Sequence, residues 1–163
     1  MIIQLAQQLV EKLNDLQFTI ATAESCTGGM VAQYITSVSG ASSVFDCGVI
    51  SYANRIKEQE LNVSHQNLVE YGAVSEQVCK QMAGGILHKA NADVGISVTG
   101  IAGPTGGTKE KPVGTVYIGV ATKSKVFCKR LNLEGNREDI RKQTVQCLFE
   151  MTLQVLETDS VSI

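Results

Sequence analysis

Residues 18–29 read Phe-Thr-Ile-Ala-Thr-Ala-Glu-Ser-Cys-Thr-Gly-Gly. The first half of this stretch favours a β-strand, and the second half, from Glu24 to Gly29, is small and polar, as in a turn. Apolar residues then recur at helical spacing, at Met30, Val31, Tyr34, Ile35 and Val38. The stretch therefore predicts a strand that turns directly into a helix, which is a building unit of an α/β fold.

Further strands and helices are predicted on both sides of this unit. A helical face precedes it, with Ile2, Leu5, Leu9, Leu13 and Leu16 in line. Strands are predicted at 47–52, 94–99, 114–121 and 126–133, and the main later helices at 54–61, 75–89 and 136–157, with Asn54, Ser75 and Asn136 as N-caps. Helices separate the first three strands, which favours parallel pairing, whereas the last two form a hairpin. We predict an α/β fold with a mixed five-stranded sheet and helices on both faces.

Composition excludes several classes of protein. The chain has 163 residues, which predicts one domain spanning 1–163, and its formal charge of −2 argues against a nucleic-acid-binding protein. No apolar run approaches the ~20 residues of a membrane helix. Five scattered cysteines and two distant histidines predict neither a disulfide framework nor a metal site. The N-terminus does not resemble a signal peptide, so we expect a cytoplasmic protein.

The turn after the first predicted strand is one candidate site. Amides at a helix start can bind an anion or an oxyanion, and Ser25 is placed where a nucleophile would benefit from them. Ser25 is equally compatible with a simple helix cap. Cys26 competes as a nucleophile, but no histidine lies nearby in sequence to activate it, and a half-buried structural cysteine is the alternative.

A second candidate loop runs from Ser51 to Lys57. With Asn54 as N-cap, Lys57 falls in the first helical turn, where the helix dipole disfavours a cation. A partly buried lysine there would have a lowered pKa and could act as a base for Ser25. A solvated surface lysine is the alternative. Tyr52 either supplies a hydroxyl to the site or packs at the strand end.

The third candidate loop, 99–114, is rich in glycine and matches neither the P-loop nor the dinucleotide-binding pattern. A loop of this length in a small domain favours a functional role over a mobile hairpin connection. Arg137 and Arg141 share one face at the start of the last helix and could clamp a phosphate. Ordinary pairing with Glu138 or Glu134 explains their spacing equally well.

Six motifs in this order resemble a known family. They are Glu24-Ser25-Cys26-Thr27-Gly28-Gly29, Tyr52-Ala53-Asn54-Arg55-Ile56-Lys57, Gly72-Ala73-Val74-Ser75, Thr99-Gly100-Ile101-Ala102-Gly103-Pro104, Lys111-Pro112-Val113-Gly114-Thr115-Val116 and Gly135-Asn136-Arg137. Over roughly residues 5–156 the sequence resembles the CinA C-terminal domain family, the nicotinamide-nucleotide amidases. It is similar to the stand-alone form, without the separate N-terminal domain. Asn136 and Ala53 depart from the more usual Asp and Ser.

The resemblance implies a three-layer α/β/α fold and hydrolysis of the carboxamide of nicotinamide mononucleotide to nicotinate mononucleotide and ammonia, a step of pyridine-nucleotide salvage. It implies Ser25 as nucleophile, Lys57 as base and Tyr52 as a supporting hydroxyl, with Arg137 near the phosphate. The implied substrate-binding residues are Thr27, Gly28, Gly29, Thr99, Gly100, Ala102, Gly103, Gly106 and Arg137. No metal or cofactor is implied.

The expected partner is therefore a small nucleotide substrate, with neither nucleic acid nor a membrane as partner, and we expect a homo-oligomer, a dimer or higher. Two alternatives stay open. The same loops would hold a nucleotide without turnover in a regulatory domain, with Lys57 protonated. A hydrolase acting on another amide or ester of similar size would use the same Ser–Lys pair.

Overall fold

Helices separate the first three strands, and the last three strands follow one another, in this computed structural model, which describes residues 1–160. The strands are β1 (Ile20–Glu24), β2 (Phe45–Ile50), β3 (Val94–Gly100), β4 (Thr115–Thr122) and β5 (Val126–Asn132). The helices are α1 (Ile2–Leu16), α2 (Met30–Thr36), α3 (Asn54–Leu61), α4 (His65–Tyr71), α5 (Glu76–Ala90) and α6 (Arg137–Ser160), with a short 3-10 turn at Ala41–Ser43. The strand-to-helix unit predicted at 18–29 is therefore confirmed as β1 followed by α2.

The five strands form one mixed sheet in the order β2-β1-β3-β4-β5. Strand β1 lies in the middle of the parallel part and pairs in parallel with both β2 and β3. Strand β4 is antiparallel to β3, and β5 is antiparallel to β4. The predicted mixed five-stranded sheet is confirmed, and the antiparallel strands are those of the predicted hairpin.

Helices cover both faces of the sheet. Helices α1, α2 and α6 pack together on one face, over a core that includes Leu9, Ile96 and Phe149. Helix α5 packs on the opposite face with α3 and α4 beside it, around Met82 and Ile86. This is the expected three-layer α/β/α arrangement. Within residues 1–160, no helix has both the length and the apolar character needed to cross a membrane.

Two of the three predicted N-caps are confirmed. The Ser75 Oγ accepts a 3.3 Å hydrogen bond from the amide of Val78, and the Asn136 Oδ1 accepts one of 2.9 Å from the amide of Asp139. The Asn54 cap is wrong, because α3 already begins at Asn54 and the extended Ala53 holds the cap position without a side-chain bond. The Ala53 carbonyl accepts the amide of Lys57, so the cap residue is Ala53, one residue before the predicted cap.

The candidate loops lie together at one end of the strands. Parallel strands β1, β2 and β3 all end at this edge, and the antiparallel order makes β4 begin there and β5 end there. The loops at 25–29, 51–53 and 101–114 and the first turn of α6 consequently meet at the carboxyl ends of the parallel strands. Ligands of open α/β sheets bind outside those ends.

Candidate active site

Ser25 and Lys57 meet at the carboxyl end of β1. The Nζ of Lys57 lies 3.1 Å from the Oγ of Ser25 and donates a hydrogen bond to it. The same Nζ donates to the Ser51 carbonyl oxygen at 2.7 Å and lies 3.5 Å from the Tyr52 carbonyl oxygen. A hydroxyl and an amine at this distance satisfy the geometry required of a nucleophile and its base.

Backbone bonds hold Ser25 between two strands. Its amide donates to the Val98 carbonyl oxygen of β3 at 3.1 Å, and the carbonyl of the preceding residue, Glu24, accepts the Ser51 amide at 2.8 Å. These bonds continue the sheet ladder past the last residue of β1. Ser25 is the first residue after β1, and these backbone bonds to the neighbouring strands fix its position.

Burial changes the protonation of Lys57. The side chain is only 1% exposed, and none of its hydrogen-bond partners in the described residues 1–160 is a carboxylate. Loss of hydration disfavours the charged ammonium and lowers the pKa of Lys57 from 10.5 to about 8. The expectation of a buried lysine with a lowered pKa is confirmed, and a solvated surface lysine is excluded. A substantial fraction of this amine is neutral near physiological pH.

Cys26, the competing nucleophile, is held as an inert thiol. Its side chain is buried, and this burial raises the pKa of Cys26 to about 11. Attack requires the thiolate, which is scarce at neutral pH for such a group. The structural interpretation of Cys26 is therefore favoured, and Ser25 is the better placed nucleophile.

Glu24 is a buried carboxylate that the motif analysis left without a role. Its Oε1 accepts the amide of Val31 at 2.8 Å and its Oε2 accepts the amide of Ala32 at 3.1 Å. The carboxylate thus caps the start of α2 and complements the positive end of that helix. The sequence does contain a signal for this cap, because Glu24 is an acidic residue at the end of a buried strand and shortly before a helix.

The turn at 25–29 offers fewer free amides than its sequence predicts. The Gly28 amide donates to the Ser25 carbonyl oxygen, and the Met30 amide donates to the Thr27 carbonyl oxygen, both at 3.0 Å. Within residues 1–160, the amides of Cys26, Thr27 and Gly29 have no acceptor. Gly28 and Gly29 take positive φ angles of 58° and 104°, which the turn requires and which glycine adopts without strain.

Arg141 holds this turn from α6. Its Nε donates to the Cys26 carbonyl oxygen at 3.1 Å, and its Nη2 donates to the Thr27 carbonyl oxygen at 2.8 Å. The two bonds span consecutive carbonyls of the loop that follows Ser25. Arg141 is therefore a positioning residue for the loop, a role that spacing along the helix does not reveal.

Arg137 lies one helical turn earlier and reaches a different part of the site. Its Nη1 donates to the Gly103 carbonyl oxygen at 2.8 Å, and its Nη2 donates to the Tyr52 hydroxyl at 3.0 Å. Within residues 1–160, neither arginine forms an ion pair with Glu134 or Glu138, and Glu138 pairs with Lys142. The acidic-pairing alternative for the two arginines is thus wrong, because both guanidinium groups turn toward the edge of the sheet.

Tyr52 is 60% exposed, and its hydroxyl contacts Arg137 while its carbonyl faces the amine of Lys57. The structure therefore places the Tyr52 hydroxyl beside the predicted phosphate-binding arginine and gives it no hydrogen bond to Ser25. Its predicted catalytic contribution stays a prediction.

The long loop after β3 is fastened at several points. The amide of Ile101 donates to the Thr115 carbonyl, and the Nζ of Lys111 donates to the Tyr71 carbonyl at 2.7 Å. At the end of β3, Thr99 is buried and donates its hydroxyl to the Ala73 carbonyl oxygen at 2.8 Å. The Gly72–Ser75 motif is consequently tied to the same edge of the sheet.

The predicted substrate-binding residues differ in their access to solvent. Gly28, Gly106 and Arg137 are exposed, and Gly29 and Gly100 are half-buried. The remaining four, Thr27, Thr99, Ala102 and Gly103, are buried. The Thr27 hydroxyl is buried and has no hydrogen-bond partner within residues 1–160. Side-chain contact with a substrate is therefore open to Arg137, whereas the buried members line the loops through their backbone.

Comparisons with known proteins identify the family of this chain. A model of the CinA C-terminal domain matches residues 2–156. A Thermoanaerobacter pseudethanolicus protein named competence-damage inducible is 53% identical over 142 residues, 87% of this chain and 34% of its own length. A CinA-like protein from Kosmotoga olearia is 45% identical over 93% of this chain and 37% of its own length. The chain spans about a third of the length of these curated relatives.

Solved structures show the same fold over nearly the whole chain. The competence/damage inducible protein CihA from Agrobacterium tumefaciens has a TM-score of 0.92 and 39% identity, covering 96% of this chain and 95% of that one. A CinA superfamily protein from Klebsiella pneumoniae has a TM-score of 0.94 and 29% identity, covering 97% and 99%. Together with the match over residues 2–156, these similarities show that the chain belongs to the CinA C-terminal domain family.

Proposed function

We propose that this chain is an amidohydrolase that converts nicotinamide mononucleotide to nicotinate mononucleotide and ammonia. The observation that carries the proposal is the buried Lys57 amine, 3.1 Å from the Ser25 hydroxyl and with a pKa lowered to about 8. A non-catalytic nucleotide-binding domain has no need of a desolvated amine beside a hydroxyl. Perturbed titratable groups of this kind concentrate at reactive sites.

In the proposed reaction, the Ser25 oxygen attacks the carboxamide carbon while the neutral Lys57 amine takes the hydroxyl proton. The tetrahedral intermediate then collapses, Lys57 returns its proton to the leaving nitrogen, and ammonia departs. An ester joins the nicotinoyl group to Ser25. Water attacks this ester, Lys57 takes a proton from the water and passes it to the Ser25 oxygen, and the carboxylate product leaves.

Negative charge on the attacked oxygen needs donors that are not already used. The Gly28 amide is bonded to the Ser25 carbonyl oxygen, and Thr27 is fully buried. We therefore assign the oxyanion donors to the amides of Cys26 and Gly29. Arg141 and Glu24 hold the two ends of this turn, through the Cys26 and Thr27 carbonyls and the start of α2. The donors would then be in place before the substrate arrives.

We assign recognition of the nucleotide phosphate to Arg137. Arg137 is exposed, lies against Gly103 and Tyr52, and carries a guanidinium suited to a phosphate. Because a carboxamide offers few contacts, binding energy from the phosphate would orient the amide over Ser25.

The deciding experiment measures ammonia release from nicotinamide mononucleotide by the purified chain, with Ser25→Ala as the matched control. We expect stoichiometric ammonia and nicotinate mononucleotide with the unmodified chain and neither with the control. Tight binding of the nucleotide without any ammonia would instead establish the non-catalytic alternative. Turnover of other amides or esters with none of this nucleotide would establish the other hydrolase.

A further inference from the structure

Two cysteines outside the candidate site face each other between α5 and β5. Cys79 lies in α5 and is buried, and Cys128 lies in β5 and is half-buried. Gly119 pairs directly with Cys128 in the β4–β5 ladder, and a Cβ on Gly119 would stand 3.0 Å from the Sγ of Cys79. Directly paired residues of antiparallel strands project to the same face, so Cys128 projects toward α5 and the Cys79 thiol.

The two thiols influence each other's protonation. The neighbouring Cys79 thiol favours the Cys128 thiolate and so lowers the pKa of Cys128. Burial raises the pKa of Cys79, so the proton stays on Cys79 and the negative charge is favoured on the accessible Cys128. The nearby charges oppose each other, because Glu76 disfavours the Cys128 thiolate while Lys80, its ion-pair partner, favours it. The accessible member of the pair is thus the more reactive thiol.

The absence of a side chain at Gly119 leaves space for the two sulfur atoms to approach. Cys79 is further held by Ser97, whose hydroxyl donates to the Cys79 carbonyl oxygen at 2.8 Å and lies 3.3 Å from its Sγ. Both Cys79 and its surroundings on β3 and β4 are therefore rigid. Closure of a bond depends chiefly on the sulfur of Cys128, which is on the edge strand of the sheet.

We propose that Cys79 and Cys128 are a redox-active pair that closes an intramolecular disulfide when the protein meets a hydroperoxide. The Cys128 thiolate attacks the terminal peroxide oxygen, the O–O bond breaks, and Cys128 becomes a sulfenic acid as the peroxide leaves as hydroxide or alkoxide. Cys79 then attacks the Cys128 sulfur, the S–O bond breaks, and water forms from the sulfenic hydroxyl and the Cys79 proton. Both sulfur atoms are oxidised and the peroxide is reduced.

This disulfide would connect the first turns of α5 to the edge strand β5 and close a loop of roughly 50 residues. A covalent link over such a loop restricts the unfolded chain, so the oxidised protein is more heat-stable than the reduced protein. No other cysteine of residues 1–160 is among the groups that shift the pKa of Cys26 or Cys147. Burial raises the pKa of Cys147, which is half-buried like Cys128, so Cys147 provides a matched control.

The test treats the reduced full chain with hydrogen peroxide and compares it with Cys79→Ala, Cys128→Ala and the control Cys147→Ala. We expect the unmodified chain and Cys147→Ala to lose two titratable thiols, to yield a Cys79–Cys128 cross-linked peptide, and to gain several degrees in Tm, all reversed by dithiothreitol. Cys79→Ala and Cys128→Ala should yield no cross-link and no gain in Tm.

Three results would overturn the proposal. All five thiols of the treated unmodified chain could remain titratable, Cys128 could accumulate as a sulfinic acid without a cross-link, or the gain in Tm on treatment could persist in Cys128→Ala. None of these measurements depends on amide hydrolysis, so they test the disulfide independently of the proposed function. The alanine variants remove only small side chains, and circular dichroism before treatment confirms that they are folded.

Discussion

The amine of Lys57 and the carbonyl oxygen of Ser51 lie 2.7 Å apart, closer than the same amine lies to the Ser25 hydroxyl. A neutral amine has two N–H donors and one lone pair. One N–H bonded to the Ser51 carbonyl orients the nitrogen and leaves the lone pair for the Ser25 proton. The carbonyl belongs to the loop that follows β2, so the sheet itself positions the proposed base.

The first prediction concerns the nucleophile. Ser25→Ala should lower kcat by about 10³-fold or more while nucleotide affinity and Tm stay near those of the unmodified chain, because only the attacking oxygen is removed. The measurement is ammonia release together with calorimetric binding. Cys26→Ala is the control and should keep most activity. Loss of activity in Cys26→Ala with retention in Ser25→Ala would reverse the assignment.

The second prediction concerns pH. Because the neutral amine is the base and the pKa of Lys57 is about 8, kcat/KM should rise about tenfold per pH unit below pH 8 and level off above it. Lys57→Arg keeps a positive charge but cannot lose its proton in this range, so its activity should be as low as that of Lys57→Met. A Lys57→Arg variant with normal activity would show that Lys57 supplies only charge.

The third prediction concerns the effect of the lowered pKa of Lys57 on the free energy of unfolding. Between pH 8 and the unfolded value of 10.5, the unfolded chain holds the Lys57 proton and the folded chain does not. The free energy of unfolding therefore rises with pH across this window, by up to about 3 kcal/mol. Lys57→Met lacks this contribution, so its stability relative to the unmodified chain should fall as pH increases.

Urea unfolding of both proteins on either side of this window measures that difference, since the other titrating groups cancel. Lys109→Met, at an exposed position, is the matched control and should show no such trend. A stability difference between Lys57→Met and the unmodified chain that is constant with pH would mean that the folded Lys57 keeps an ordinary pKa.

The strand-to-helix unit and the sheet could be predicted from sequence because they depend on local patterns. Apolar spacing and turn chemistry at 18–29 identify β1 and α2, and the short connection before β5 identifies the hairpin. The error at Asn54 was a matter of one residue. Cap preference favours Asn54, but the backbone stays extended through Ala53 after the Ser51 amide joins the sheet.

The internal supports of the site could not be predicted in the same way. Arg141 bonds to the Cys26 and Thr27 carbonyls 115 and 114 residues away, and no local pattern encodes that contact. The burial of Lys57 likewise depends on how α3 packs against α5. Spacing places Arg137 and Arg141 on one face of α6. Only the tertiary structure shows that they bind different loops of the site.

The fourth prediction tests the cap of α2. Glu24→Gln keeps the shape of the side chain but replaces one acceptor oxygen with an NH2 group that opposes the amide of Val31 or Ala32. We expect a loss of about 1–3 kcal/mol in stability, because a buried amide loses its partner. Thermal unfolding provides the measurement, and the exposed Glu11→Gln is the control. Equal Tm values for the two variants would show that this cap contributes nothing.

The last prediction separates the two arginines of α6. Arg137→Ala should lower kcat/KM for nicotinamide mononucleotide by about 10- to 100-fold and leave the riboside nearly unchanged, since a hydrogen bond to a charged phosphate is worth ~1.5–3 kcal/mol. Arg141→Ala should slow both substrates by the same factor, because it releases the turn beside Ser25 and removes no contact to the phosphate. The measurement is kcat/KM for both substrates on both variants. Equal slowing of nucleotide and riboside by Arg137→Ala would make Arg137 a support for Gly103 and Tyr52, and would place the phosphate nearer to Lys111.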